Sequence, residues 1–190
     1  VPVAGEPTIT ATQRFDVVVS HTQSDFFVRL GTPHVLSGLG NAVPLRLTSS
    51  ADLGHVAFDL EAGDSRLAGM NLQTTSQEIA AAACGPIGAG WFRLRLDFAA
   101  GQVQTGDRNV ALLQFGTQLA GQSSIARLRI HNLEASRSGG EVLRNGRAGN
   151  GRIFMIENEP ILDGALTLAG QVRLVVYGLP GHRYELHSSP

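Results

Sequence analysis

The sequence predicts an all-β protein, an antiparallel β-sandwich with one short helix. Apolar and polar residues alternate along many short runs, which is the pattern of strands that bury one face. These runs recur about every 8–12 residues, and turns rich in glycine and proline separate them. The chain of 190 residues contains 23 glycines, so its regular elements must be short. Together these observations favour a sandwich over a helical or α/β fold.

The clearest pair of strands lies over residues 43–48 and 54–60, where every second residue is apolar. The polar break at 49–52 joins them as an antiparallel pair. Residues 91–98 alternate in the same way, and the apolar run 110–115 is typical of a central strand. Further strands are predicted over residues 15–19, 25–30, 65–72, 124–133, 141–144, 152–156, 166–168, 172–176 and 184–186. The residues predicted to share one core are Phe58, Leu60, Phe92, Leu94, Leu96, Leu112, Phe115, Leu128 and Ile130.

One segment departs from the strand pattern. Thr75–Glu78 has the spacing of a helix capping box, and Ile79 and four alanines follow it. Cys84-Gly85-Pro86 then provides a stop signal. We therefore expect a short helix over residues 76–83, lying over one end of the sandwich.

Composition excludes several functional classes. The net charge is −1, which argues against a dedicated nucleic-acid-binding protein. No apolar run approaches the roughly 18 residues that a membrane span needs, so membrane insertion is not expected. The chain has no lysine and therefore no Schiff-base or phosphate-loop lysine. Its single cysteine, Cys84, cannot form an intrachain disulfide.

The middle of the chain resembles the cohesin-like jelly-roll sandwich of bacterial secreted and cell-surface proteins. The residues that carry the resemblance are VPLRLTSSADLGHVAFDLEAGDSRLAG (43–69), WFRLRLDF (91–98), VALLQF (110–115) and IARLRIHNLEAS (125–136). The resemblance implies a sandwich domain over residues 31–157 and an extracellular or cell-surface location. It also implies a non-catalytic role, either in binding dockerin-like partners or as a scaffold.

The ends of the chain resemble two parts of a second, smaller β module. GLPGHRYELHSS (178–189) matches one part, and the Phe-Phe segment 25–30 matches another. We expect residues 1–30 and 158–190 to form this module, within one chain or between neighbouring copies. Pro180-Gly181 is a turn dipeptide, so a hairpin is predicted around it.

This arrangement predicts a structural subunit that assembles head to tail with copies of itself into filaments or arrays. The donated strands would be Leu166–Tyr177 and Arg183–His187, received near Phe15–Val19 and Phe26–Leu30 by β-strand complementation. The predicted interface residues are Phe15, Val17, Val19, Phe26, Phe27, Val28, Leu30, Val172, Leu174, Val176, Tyr177, Tyr184 and Leu186.

The alternative is a binding module for another secreted protein or a glycan. Trp91, Arg93 and Arg95 alternate on the outward face of one predicted strand. An exposed tryptophan with arginine neighbours can stack on a sugar or on a partner protein. These three residues are the predicted ligand face.

Catalysis and metal binding have weaker sequence support, and no cofactor is predicted. Asp59 and Glu61 lie on one strand face and could act as a carboxylate pair, but such pairs are usually solvated. The chain has no G-x-S-x-G elbow for a serine hydrolase. Calcium could bind oxygen ligands at two places and a metal could bind at a histidine pair in the tail. These residues are Asp107 with Asn109, Asp64 with Glu61, and His182 with His187.

Overall fold

The computed structural model describes residues 24–100, 106–168 and 170–185, and within them the protein is all-β with no helix. The first seven strands are β1 (Phe26–Leu30), β2 (His34–Leu36), β3 (Gly40–Ser49), β4 (His55–Ala62), β5 (Leu67–Thr74), β6 (Ile79–Gly88) and β7 (Trp91–Phe98). The next seven are β8 (Gly106–Thr117), β9 (Ser124–Ser136), β10 (Val142–Leu143), β11 (Gly146–Gly149), β12 (Gly151–Ile156), β13 (Ile161–Leu166) and β14 (Val172–Tyr177).

Two large sheets form the sandwich. One has the order β11-β1-β3-β8-β5, and the other has the order β2-β12-β9-β4-β7-β6 with β10 paired to β9. The third sheet is the hairpin β13-β14. Most pairs are antiparallel, and β1 with β11 and β2 with β12 are parallel. This architecture confirms the predicted sandwich.

The core lies between the two large sheets, as strand alternation predicts. Phe58, Leu60 and Leu94 are completely buried there. Phe92 is partly buried against this core. Leu112 is half-buried, whereas its neighbour Leu113 is fully buried. Remaining members of the predicted core are buried as expected, namely Leu96, Phe115, Leu128 and Ile130.

The predicted helix over residues 76–83 is wrong. These residues lead into strand β6, which pairs with β7 so that Ala82 lies opposite Leu96 and Cys84 opposite Leu94. Ile79, Ala82 and Cys84 are partly buried against the core. Pairing and burial therefore outweigh the helix preference of the alanine run, which is a weak local effect.

The structure also places Phe26–Leu30 differently from the prediction. This strand pairs with β3 and β11 inside the five-stranded sheet. Phe26, Val28 and Leu30 are buried in the sandwich core, and Phe27 is half-buried. Gly146 leaves room for the Phe26 ring. These residues therefore stabilise the sandwich instead of receiving a donated strand.

The tail hairpin forms earlier in the chain than predicted. Its strands are β13 and β14, and the Thr167 N–H donates a 2.8 Å hydrogen bond to the Gln171 carbonyl where they meet, whereas 182–185 are not in a strand. Pro180-Gly181 does form a turn, with a positive φ at Gly181. Other residues of the predicted interface lie outside the described residues: Phe15, Val17, Val19 and Leu186, as does His187.

Candidate functional site

The inner face of the tail hairpin packs on the outside of the sandwich. Phe154 of β12 points away from the core, yet it is completely buried, because the Tyr177 ring stacks on it at 4.3 Å between centroids. His34 lies 5.7 Å from the same tyrosine ring. Arg152 donates two hydrogen bonds of 3.3 Å to Asp163 and lies 5.2 Å from the Phe154 ring centroid. The aromatic stack and the ion pair both join the hairpin to the sandwich.

The segment that leads into the hairpin is anchored at Glu157. Its carboxylate accepts hydrogen bonds from the backbone N–H groups of Ala120 at 3.0 Å and Gly121 at 2.6 Å. Arg66 lies 3.4 Å away and also pairs with Asp64. The Ala120 N–H, followed by other donors and the Arg66 charge, lowers the pKa of Glu157 below its ordinary value. Glu157 therefore stays ionised and fixes the direction in which the tail leaves the sandwich.

The outer face of the hairpin is entirely apolar. Because side chains alternate along a strand, Leu162, Leu166, Val172, Leu174 and Val176 share this face with Gly164. Leu166 is 77% exposed and Val172 is 65% exposed, and the other three are each nearly half exposed. Together these five side chains form what we call the apolar hairpin face.

Tyr184 lies at one end of the apolar hairpin face. Its hydroxyl accepts a hydrogen bond of 2.7 Å from the Leu179 backbone N–H. Together with Pro160, Leu162 and Val176 it lines a small concavity of about 180 Å³. The rest of the apolar hairpin face, towards Leu166 and Val172, stays open to solvent.

A second apolar concavity lies at the end of the sandwich beside the tail. It has a volume of about 470 Å³. Leu39 and Leu119 are exposed at its rim, and Leu179 of the tail lines it together with Ile156. Glu157 and Asn158 also line this groove.

The predicted ligand face is present, but its charged groups are already paired. The Trp91 ring lies 4.9 Å from the His131 ring. Arg93 donates a 3.0 Å hydrogen bond to Asp59 and pairs with Glu134. Arg95 pairs with Asp97 at 2.9 Å. These side chains form a compensated network on the outside of β4, β7 and β9, where partner and glycan contacts would have to compete with it.

Asn132 completes this network, and no motif in the sequence indicates its role. It lies at a β-bulge in β9 with a positive φ of 47°, which few residues other than glycine and asparagine adopt. Its side chain donates a 2.6 Å hydrogen bond to Asp59. This bond, followed by the bond from Arg93, lowers the pKa of Asp59. An ionised, hydrogen-bonded Asp59 is poorly suited to act as a general acid.

The three acidic residues considered for calcium pair with basic side chains. Arg46 donates a 2.5 Å hydrogen bond to Asp107, and Arg66 pairs with Asp64 at 2.9 Å. Glu61 accepts a 3.0 Å hydrogen bond from His131. In the part of the chain that the structure describes, no three histidine, cysteine or acidic residues form a group that could hold a metal ion. Those same residues also contain no helix long and apolar enough to cross a membrane.

Solved cohesin domains share the fold of this chain. The sixth cohesin of scaffoldin B from Acetivibrio cellulolyticus, solved in complex with a Cel5 dockerin, has 18% identity and a TM-score of 0.58, covering 68% of this chain and 98% of that one. The seventh ScaB type I cohesin of Pseudobacteroides cellulosolvens has 16% identity and a TM-score of 0.59. The match covers 72% of this chain and 95% of that cohesin. A non-cellulosomal cohesin of the archaeon Archaeoglobus fulgidus has 12% identity and a TM-score of 0.56. The match covers 71% of this chain and 94% of that cohesin.

These likenesses are of fold, since few residues are identical. No protein-family model and no curated protein sequence matches the chain. The predicted cohesin-like β-sandwich is nevertheless confirmed. The structural matches span about two thirds of this chain and almost the full length of the solved cohesins.

Proposed function

We propose that this cohesin-like β-sandwich is a non-catalytic, extracellular protein-binding module and that its partner docks on the apolar hairpin face. The observation that carries the proposal is the exposure of Leu162, Leu166, Val172, Leu174 and Val176 on one face of a two-stranded sheet. Contiguous exposed apolar patches of this kind often mark sites where another molecule binds.

The neighbouring folds support a protein partner. The cohesin of Acetivibrio cellulolyticus was solved in complex with a Cel5 dockerin, and this chain shares its architecture. A dockerin itself is not assigned here, because so few residues are identical. The partner class that we assign is a protein with an apolar strand or surface.

The paired charges around Trp91 make an enzyme or a glycan-binding site less suitable than a protein interface. Asp59 and Glu61 each accept hydrogen bonds from basic or amide groups, which keeps them from acting as a free carboxylate pair. The indole already packs against His131, so that only part of its surface is available for stacking.

Head-to-tail assembly with copies of the same chain is the second candidate function. The free backbone edges of the hairpin favour it, because within the described residues no further strand pairs with β13 or β14. Open edges recruit strands from other chains, and no lysine is present to block them. Copies that associate in one direction without closing would form a filament or an array.

Site-specific photo-crosslinking tests the proposed interface. A photoreactive residue at position 174 lies on the apolar hairpin face, and one at position 95 lies on the Trp91 face as a matched exposed control. We expect position 174 to crosslink to an identifiable protein in the secreted fraction of the source cells, and position 95 to give no adduct. The partner should then bind the purified chain directly, and Val172→Arg should weaken that binding.

Crosslinking at position 95 but not at position 174 would instead show that the partner binds at Trp91, Arg93 and Arg95. A tight, specific signal on a glycan array would favour the carbohydrate alternative. No adduct at either position, with the fold intact by circular dichroism, would contradict the protein-binding function.

A further inference from the structure

We infer that two copies of this chain pair through the apolar hairpin face, related by a two-fold axis, so that each face covers the other. This inference rests on the proposed function, because it names the partner that docks on the same surface. A sheet face is covered by a second layer packed on top of it, and an identical hairpin supplies such a layer. The observation that points to a second copy is the order of large and small side chains across the hairpin.

The apolar hairpin face consists of three cross-strand pairs, and each pair joins a residue of β13 to a residue of β14. In order along β13 these pairs are Leu162–Val176, Gly164–Leu174 and Leu166–Val172. The middle pair combines a glycine, which leaves a notch, with a leucine, which projects beside the notch. A Cβ atom at Gly164 would lie 3.4 Å from the Leu174 side chain, which is an ordinary contact, and Gly164 itself is exposed. The face therefore carries one notch and one projecting side chain at the same level along the strands.

Two copies of this face fit each other when the two-fold axis runs along the strands, midway between the stacked hairpins. This axis places β13 of one copy over β14 of the other and keeps the three pairs at the same levels. Leu174 of each copy then enters the Gly164 notch of the other copy, and symmetry makes this contact twice. At both ends of the face a leucine packs on a valine.

The other face-to-face arrangement has its two-fold axis across the strands, and it fits poorly. It would place the two Leu174 side chains against each other and the two Gly164 notches against each other. Such an interface would combine a clash with a void, whereas packed protein surfaces have few of either. The register of β13 and β14 therefore selects the axis that runs along the strands.

The position of the hairpin leaves room for this pairing. Its inner face packs on the sandwich through the stack of Tyr177 on Phe154, so its outer face points away from the sandwich. Two stacked hairpins would therefore lie between the two sandwiches and keep them apart. None of the side chains in the three pairs is charged, so two identical faces can meet without repulsion.

The exposed area of the face fits a weak, reversible dimer. Its five apolar side chains are between 45% and 77% exposed. Pairing two copies would bury on the order of 1,000 Å² in total, which is near the lower limit for specific interfaces. Tyr184 extends the face beyond the Leu162–Val176 pair, because its ring occupies the space into which a side chain at Gly178 would point. A dimer of this size should form as the concentration rises and dissociate on dilution.

An exchange of side-chain size between the notch and the leucine tests the inference on the full-length chain. Gly164→Leu fills the notch, and Leu174→Ala shortens the side chain that enters it. The backbone accepts the first change, because Gly164 lies within β13 and does not have a positive φ. Ile87→Ala is the matched control, since Ile87 is 56% exposed on β6, far from β12 in the order of the sheet.

Sedimentation equilibrium measures the dimer Kd, and native mass spectrometry identifies which variants share a dimer. Circular dichroism checks that each variant keeps the sandwich, and hydrogen exchange over residues 161–177 checks that it keeps the hairpin. We expect the wild-type chain and Ile87→Ala to form dimers that do not grow further. Gly164→Leu and Leu174→Ala should each weaken dimerisation about 100-fold, because each change affects two symmetric contacts by about tenfold apiece.

An equimolar mixture of Gly164→Leu and Leu174→Ala should regain an affinity within about tenfold of the wild type. In the mixed dimer the side chain added at position 164 faces the one shortened at position 174, and the second contact is the native one. The regained dimer should therefore contain one copy of each variant. Neither variant alone offers this combination of surfaces.

Two results would overturn the geometry of the pairing. Tighter dimerisation by Gly164→Leu would show that the face binds as a plain apolar surface, and a mixture no better than the single variants would show that copies meet elsewhere. Growth beyond a dimer would replace the two-fold pair with head-to-tail assembly. A monomeric wild type that crosslinks a different protein at position 174 would overturn the inference and keep the proposed function. A monomeric wild type without an adduct at position 174 or 95 would contradict both.

Discussion

Replacing Tyr177 by alanine should release the tail hairpin while the sandwich stays folded. The Tyr177 ring stacks on Phe154 at 4.3 Å and lies 5.7 Å from His34. The ion pair between Arg152 and Asp163 on this inner face has a distance of 3.3 Å, and both of its side chains are partly exposed to solvent. An exposed pair of this kind contributes little, at about 0–1 kcal/mol. The aromatic stack therefore supplies most of the docking free energy.

The expected change in the free energy of hairpin opening follows from the burial of the Tyr177 ring. An aromatic stack contributes about 0.5–1.5 kcal/mol beyond the burial of its surface. Full burial of a large apolar side chain contributes about 1.5–3 kcal/mol, and the lower part of this range applies because Tyr177 is half-buried. We therefore expect Tyr177→Ala to make hairpin opening easier by about 2–3 kcal/mol, which is roughly a 30- to 150-fold increase in the open population.

Hydrogen exchange measured by mass spectrometry resolves this effect by region. Peptides that cover residues 161–177 should exchange faster by that factor in Tyr177→Ala. Peptides from β4 and β9 should keep their wild-type rates. Tyr177→Phe is the matched control, because it keeps the ring, and it should behave like the wild type. The reasoning would be refuted by unchanged hairpin rates, or by a uniform acceleration across the sandwich.

Three further predictions concern the sandwich. Leu94→Ala removes a completely buried side chain and should lower the free energy of unfolding by about 2–5 kcal/mol in urea titrations; a loss below 1 kcal/mol would contradict its central position. Because the pKa of Glu157 is lowered in the folded state, its contribution is present above the ordinary glutamate pKa and is lost as pH falls through the lowered value. Glu157→Gln should therefore flatten the acid side of a stability-against-pH curve, and an unchanged curve would exclude this role. At the bulge, Asn132→Gly should fold with nearly wild-type stability in thermal melts, whereas Asn132→Val should lose stability because a β-branched residue resists a φ of 47°; equal melting of the two variants would show that the positive φ is not required.

Local pattern predicted much of the fold because burial of one sheet face imposes a period of two. The strands around Leu45, Phe58 and Leu94 were predicted close to their observed bounds for this reason. Leu112 was misplaced because it and Phe115 are three residues apart, which puts them on opposite faces of a regular strand. Leu113 occupies the core position instead.

The candidate site was predicted only in part. The sequence predicts an apolar strand that needs a hydrophobic partner at Val172, Leu174 and Val176. The structure shows these three side chains exposed. Their partner strand β13 was missed, since ILDGAL (161–166) contains an acid and a glycine and alternates weakly. The pairing of Arg93 with Asp59 was also missed, because the two are 34 residues apart in the chain and meet only when β4 and β7 align.

Side-chain alternation and turn residues are local properties of each strand, so the β-sandwich can be predicted from the sequence alone. Three other features depend on how distant segments of the chain pack together. This packing made residues 79–88 a strand, since pairing with β7 and burial against the core outweighed a local preference for helix. It enclosed Phe26–Leu30 in the sandwich, where β3 and β11 supply the hydrogen bonds. It also buried Phe154 beneath Tyr177 and thereby turned the apolar hairpin face towards solvent, because which face of a strand is covered depends on contacts between residues far apart in the chain.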